Sequence, residues 1–162
     1  MIAILPFVVL AQLAGPAVAP VSWTLAAPKG ATAIYTYAED GIPVVQMTCQ
    51  PTSGQVEFRV AARKRIAVRK SGAVWTNLVG MPAPWPASII LKSGGMVSTL
   101  RGAVDADPVT GASLAVVEAS TRASVFKDFS KTGVMTFTIM GETVAPVAAS
   151  PGEARKFLRA CD

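Results

Sequence analysis

Past residue 20 the chain alternates apolar and polar positions in short runs separated by turn residues, the pattern of half-buried strands. Val21 to Leu25, anchored by Trp23, and Ala33 to Tyr37 are the first two expected strands, and Glu39-Asp40-Gly41 follows as a turn. Pro43 to Cys49 points Val45, Met47 and Cys49 one way. After the Pro51-Thr52-Ser53-Gly54 turn, Gln55 to Ala61 returns with Val56, Phe58 and Val60 inward, which predicts a hairpin. Ile66 and Val68 continue the alternation beyond a basic turn. Ser88 to Lys92 and Met96 to Ala103 form a second expected hairpin around Ser93-Gly94-Gly95. Asp105 to Gly111 reads as a loop, and Ser113 to Ala119 and Val134 to Met140 as strands. Between the hairpins, Trp75 to Pro86 carries prolines at 82, 84 and 86; it is expected as a loop or a sheet edge, because proline gives no donor to a ladder.

Two runs change period to that of a helix. Ala123 to Lys131 groups Val125, Phe126 and Phe129, with Thr121 as the expected cap and Gly133 after the end. The last helix has Ser150 at its N-cap, Pro151 at the first position and Glu153 to complete a capping box. Ala154, Phe157, Leu158 and Cys161 share one stripe. The expected fold class is therefore mainly β: an antiparallel sandwich or barrel of about eight short strands, with a C-terminal helix and one further short helix. Cys49 faces inward by strand period and Cys161 by helix period, so the two cysteines are expected to pair. Closing a loop of about 110 residues would contribute roughly 4–5 kcal/mol in the chain-entropy view. Two buried free thiols are the alternative.

The first residues bear on compartment. Met1 to Leu13 is almost wholly apolar and carries no charge, and Ala17-Val18-Ala19 offers a small-x-small cleavage pattern. The expectation is a signal peptide over residues 1–19 and one β-rich domain over residues 20–162. The mature chain is expected to have no transmembrane segment and to be periplasmic or secreted, where a disulfide persists. The missing Lys or Arg before the apolar run and Pro20 after the cut count against a leader. A buried first strand or a membrane anchor is the other reading.

Histidine is absent, which removes the commonest general base and any Ser-His-Asp or Cys-His machine. No phosphate-loop or metal-ligand spacing is present, so no cofactor, metal or catalytic residue is expected. Asp105 and Asp107, like Glu39 and Asp40, read as turn formers, since no further carboxylate completes a calcium loop. The strongest surface signal is cationic. Arg59, Arg63, Lys64, Arg65, Arg69 and Lys70 fall within twelve residues, with Arg59, Arg65 and Arg69 expected on the outward face of a basic hairpin near Trp75 and Trp85. Such a patch attracts an anionic envelope component or an acidic protein. Export disfavours nucleic acid. The plainer reading is a solvated hairpin whose charges discourage edge pairing. Met81 to Pro86 offers a choice between a rigid recognition loop displaying Trp85 and a crossover with Trp85 in the core.

The strand ending in Cys49, the Thr132-Gly133 step before a strand and the terminal Phe157-Leu158-Arg159-Ala160-Cys161 resemble small exported β-rich proteins of proteobacteria, and more distantly the invasion-associated type of periplasmic protein. The resemblance implies an envelope protein with a disulfide and transfers no activity. The functional expectation is a non-enzymatic binding or structural domain of the cell envelope. The alternatives are a small hydrolase-like enzyme or enzyme inhibitor without histidine chemistry, and an assembly subunit.

Overall fold

The computed structural model describes residues 21–162. The expected leader, residues 1–19, lies outside the described residues. Eleven strands and two helices follow in chain order: β1 (Ser22–Ala26), β2 (Ala33–Glu39), β3 (Ile42–Cys49), β4 (Gln55–Ala61), β5 (Arg69–Ser71), β6 (Val74–Thr76), β7 (Trp85–Ser93), β8 (Met96–Ala106), β9 (Ser113–Ser120), α1 (Ser124–Thr132), β10 (Thr136–Ile139), β11 (Glu142–Val144) and α2 (Pro151–Cys161). Nine strands form one antiparallel sheet in the order β1-β2-β3-β4-β9-β8-β7-β10-β11, curled into a half-barrel. β5 and β6 form a separate two-stranded ribbon, outside that sheet.

One face of the sheet is buried, which is why the strands alternate rather than run apolar throughout. Tyr35, Met47, Phe58, Val117 and Phe137 point into the core, while Gln46 and Arg59, a cross-strand pair, point away from it. Both helices pack on the buried face, where a sandwich would place its second sheet. Phe58 sits at the centre, opposite Met47 on β3 and Val117 on β9. Its ring stacks on Phe126 of α1 at 5.7 Å and meets the edge of Phe137 on β10 at 5.6 Å, the offset and edge geometries that aromatic quadrupoles favour. Phe157 of α2 stacks on Tyr35 at 5.7 Å. The open side is partly bridged by the chain leaving β11, since Trp23 on β1 donates its indole N–H to the Val147 carbonyl at 2.7 Å.

Cys49 at the end of β3 and Cys161 at the end of α2 are joined, with Cα atoms 5.5 Å apart and a sequence separation of 112. Both residues are buried. The same corner carries further ties. Gly54 donates to the Cys161 carbonyl at 3.0 Å, and Thr121 Oγ1 donates to Asp162 Oδ1 at 2.9 Å.

Several local expectations are corrected. Thr121 does not cap α1; the helix starts later, with Ala123 at the N-cap position, and Thr121 turns to Asp162 instead. Ser150 is the N-cap residue of α2, but its hydroxyl makes no capping bond and only its carbonyl accepts, from Ala154 N–H at 2.9 Å. Ile66 and Val68 lie in a connection rather than a strand, because Ile66 N–H bonds the Ser113 hydroxyl instead of a ladder carbonyl. Pro86 belongs to β7. It is tolerated there because β10 covers only Ile89–Lys92 of β7, leaving the Pro86 end unpaired on that side. Gly133 ends α1 in the left-handed region (φ 70°), as expected, and a Cβ there would also overlap the Ala149 carbonyl.

Candidate functional site

The six clustered cations do not form one hairpin. Arg59 stays on the outer face of the main sheet, where its Nε donates to Glu57 Oε1 at 2.7 Å; this is the one ion pair among the described residues. The chain then leaves the sheet. Ala62 N–H bonds the Ser113 carbonyl, and the segment from Arg63 to Pro84 makes an excursion before β7 begins.

Within the excursion, β5 and β6 set Lys70 opposite Trp75. The Lys70 ammonium and the Arg65 guanidinium each lie 5.4 Å from the Trp75 ring, close enough for cation–π attraction. Backbone carbonyls hold both cations in place. Arg65 donates from Nε to Ala67 O at 3.1 Å and from Nη2 to Thr110 O at 2.9 Å; Lys70 donates to Pro108 O at 2.6 Å. Trp75 Nε1 reaches the same Pro108 carbonyl at 3.3 Å. Gly111 (φ 70°) lets the 107–112 loop come this close, since a Cβ would sit 2.7 Å from Arg65 Nη2 and 2.9 Å from the Trp75 ring. Arg65 and Lys70 are therefore largely occupied in holding Trp75. Arg63, Lys64 and Arg69 are exposed and have no ion pair among the described residues.

The loop that accepts these bonds is ordered by Asp107. Its Oδ1 accepts from Thr110 N–H at 2.6 Å, Thr110 Oγ1 at 2.8 Å and Val109 N–H at 3.1 Å. The Thr110 bonds, with help from Val109 N–H and the Lys70 charge, hold the Asp107 carboxyl below the usual aspartate range. Asp107 is thus a turn former, as the residue pattern suggests. Trp85 is buried at 5% exposure, with its indole N–H donated to Met81 O at 3.0 Å, so it is a core residue and not a displayed one.

Acidic residues are missing from a long stretch. Between Glu57 and Asp105 the chain has no Asp or Glu, while it carries the six clustered cations plus Lys92 and Arg101. The excursion also displays apolar side chains: Leu78 is 85% exposed, Val79 78% and Met81 54%. Reading the run for cations alone misses this second property, which shows as three apolar residues flanking Gly80 with no alternation to bury them.

A second cationic surface was not legible in sequence because two helices contribute to it. Arg122 and Lys127 from the α1 region and Arg155 and Arg159 from α2 rim a cleft of about 480 Å³ with Leu158 in its lining. A polar cleft of about 560 Å³ adjoins it at Thr121, Arg122 and Asp162. Its cations are partly engaged: Arg155 donates to Ser130 O at 3.2 Å and Arg159 to Arg155 O at 3.3 Å. Among the described residues no group of three His, Cys, Asp or Glu side chains is placed to hold a metal ion, and no helix is long and apolar enough to cross a membrane. Comparison with protein-family models, curated proteins and solved structures finds no match to this chain.

Proposed function

We propose that this chain is an exported, non-enzymatic domain of the cell envelope that binds an anionic component through the 63–84 excursion. The observation that carries the reading is the one-signed charge of the excursion: Arg63, Lys64, Arg65, Arg69 and Lys70, with no Asp or Glu between residues 63 and 84. A surface built only to stay soluble mixes both signs, whereas a patch of one sign attracts and orients an oppositely charged partner. The Trp75 clasp supports the reading as well, because it fixes the ribbon that carries Arg69 instead of leaving the charges on a mobile loop. The paired cysteines suit an oxidising compartment.

Retention on a heparin column at rising salt tests the proposal. Arg63→Gln, Lys64→Gln and Arg69→Gln together are expected to lower the eluting salt markedly, since these three cations have no ion pair among the described residues and are not needed for the Trp75 clasp. Unchanged elution of a folded triple variant would remove the excursion as the binding site.

A further inference from the structure

Resting on that reading, we infer that the anionic partner is a lipid leaflet, with the 77–81 turn inserting Leu78 and Val79 among the acyl chains while the surrounding cations engage headgroups.

The turn is built to display these side chains. Asn77 N–H donates to Met81 O at 2.9 Å and Gly80 N–H to Asn77 O at 3.0 Å. The Asn77 side-chain oxygen accepts from Val79 N–H at 3.1 Å and Met81 N–H at 2.9 Å. Four hydrogen bonds thus organise five residues, and little ordering is left for binding to cost. Gly80, at φ 82°, takes the left-handed position the turn requires. The side chains so held face water: Leu78 and Val79 are among the most exposed large apolar groups of the described residues.

Position ties the turn to the charge. Arg69 lies directly opposite Thr76, the residue before Asn77, and Val68 N–H bonds Thr76 O. Val68 itself is 60% exposed. An apolar tip beside Arg69, a cation with no ion pair among the described residues, matches a surface that is negative outside and hydrocarbon within, the arrangement that interfacial binding rewards through both charge and apolar burial. A soluble polyanion would use the cations and leave Leu78 and Val79 in water. A second copy of this chain would bring the same cations against themselves.

Flotation with phosphatidylglycerol-containing vesicles, run beside the heparin column and a sizing column, separates these partners. Wild type is expected to float with the anionic vesicles and not with phosphatidylcholine alone. Leu78→Ser/Val79→Ser is expected to weaken vesicle partition roughly ten- to hundredfold, the loss of two inserted side chains, while eluting from heparin at the wild-type salt. Leu78→Trp is expected to be quenched by brominated acyl chains. Equal partition of wild type and the Ser variant, or no quenching of the new tryptophan, would overturn insertion. Wild type that binds heparin but no vesicle would overturn the lipid assignment and leave the anion-binding proposal standing. Failure to bind either would overturn both. A dimer that the Ser variant converts to monomer, with no vesicle binding, would assign the turn to self-association instead.

Discussion

The corner where β3, β4 and α2 meet and the 63–84 excursion are opposites in construction. In the corner, a covalent bond, the Cys161 carbonyl and the buried Phe157–Tyr35 stack all bear on one point. In the excursion, two cations at one indole ring and a few carbonyl bonds hold a ribbon most of whose other side chains are exposed. Folding accounts for nearly every residue of the corner. It does not account for Arg63, Lys64, Arg69, Leu78 or Val79, which are exposed and have no ion pair or core contact among the described residues. A group that stability leaves unexplained is where function is most usefully sought, and this contrast is the ground for assigning binding to the excursion.

Breaking the corner is expected to have the largest effect. Cys49→Ser/Cys161→Ser should lose about 4 kcal/mol in urea unfolding, because the bridged positions are 112 apart in sequence. A midpoint equal to wild type would mean that packing alone fixes α2. Breaking the excursion should be milder. Trp75→Ala removes both cation–π contacts and is expected to cost about 1–2 kcal/mol. It should also greatly speed tryptic cleavage between Arg63 and Lys70 while the rest of the chain resists; uniform digestion would show that the ribbon is not an independent unit.

A smaller change sharpens the corner from the other direction. The Tyr35 hydroxyl is buried with no hydrogen-bond partner among the described residues, and burial, followed by the Glu153 charge, raises its pKa. Tyr35→Phe is therefore expected to stabilise by about 1 kcal/mol, since it removes an unsatisfied polar group. Because the folded pKa is raised, the neutral phenol's stability is present below pH 10.0 and is lost as the pH climbs from there toward the folded value. The variant should resist alkaline unfolding better than wild type in circular dichroism. The smallest effect belongs to Asp107. Its folded pKa is lowered, so the loop bonds are present above pH 3.8 and are lost as the pH falls through the folded value. A red shift of tryptophan emission in that acid range, absent in Asp107→Asn, would report release of the Trp75 clasp.

Legibility in the sequence followed the same division. Residues 43–61 and the two helices alternate or recur with a clean period because one face is buried, so the Cys49–Cys161 pairing and the placement of Phe126, Phe129 and Phe157 could be read directly. Glu142–Val144 is too short to carry a period, and β5 and β6 form a ribbon apart from the main sheet, so no buried sheet face imposes alternation on them. The cations were visible as a run, yet which of them is free depends on Arg65 and Lys70 meeting Trp75 and the carbonyls of Pro108 and Thr110, contacts that join distant parts of the chain. The cleft between the helices depends on their packing and left no linear trace.

Position, rather than net charge, is the heart of the assignment. Two triple variants that each remove three cations decide it: Arg63→Gln/Lys64→Gln/Arg69→Gln on the excursion, and Arg122→Gln/Lys127→Gln/Arg159→Gln on the helix face. Co-sedimentation of both with phosphatidylglycerol vesicles across a salt series is the measurement. The account predicts that the excursion variant loses binding and that the helix-face variant keeps most of it. Equal losses, or a greater loss from the helix face, would contradict it.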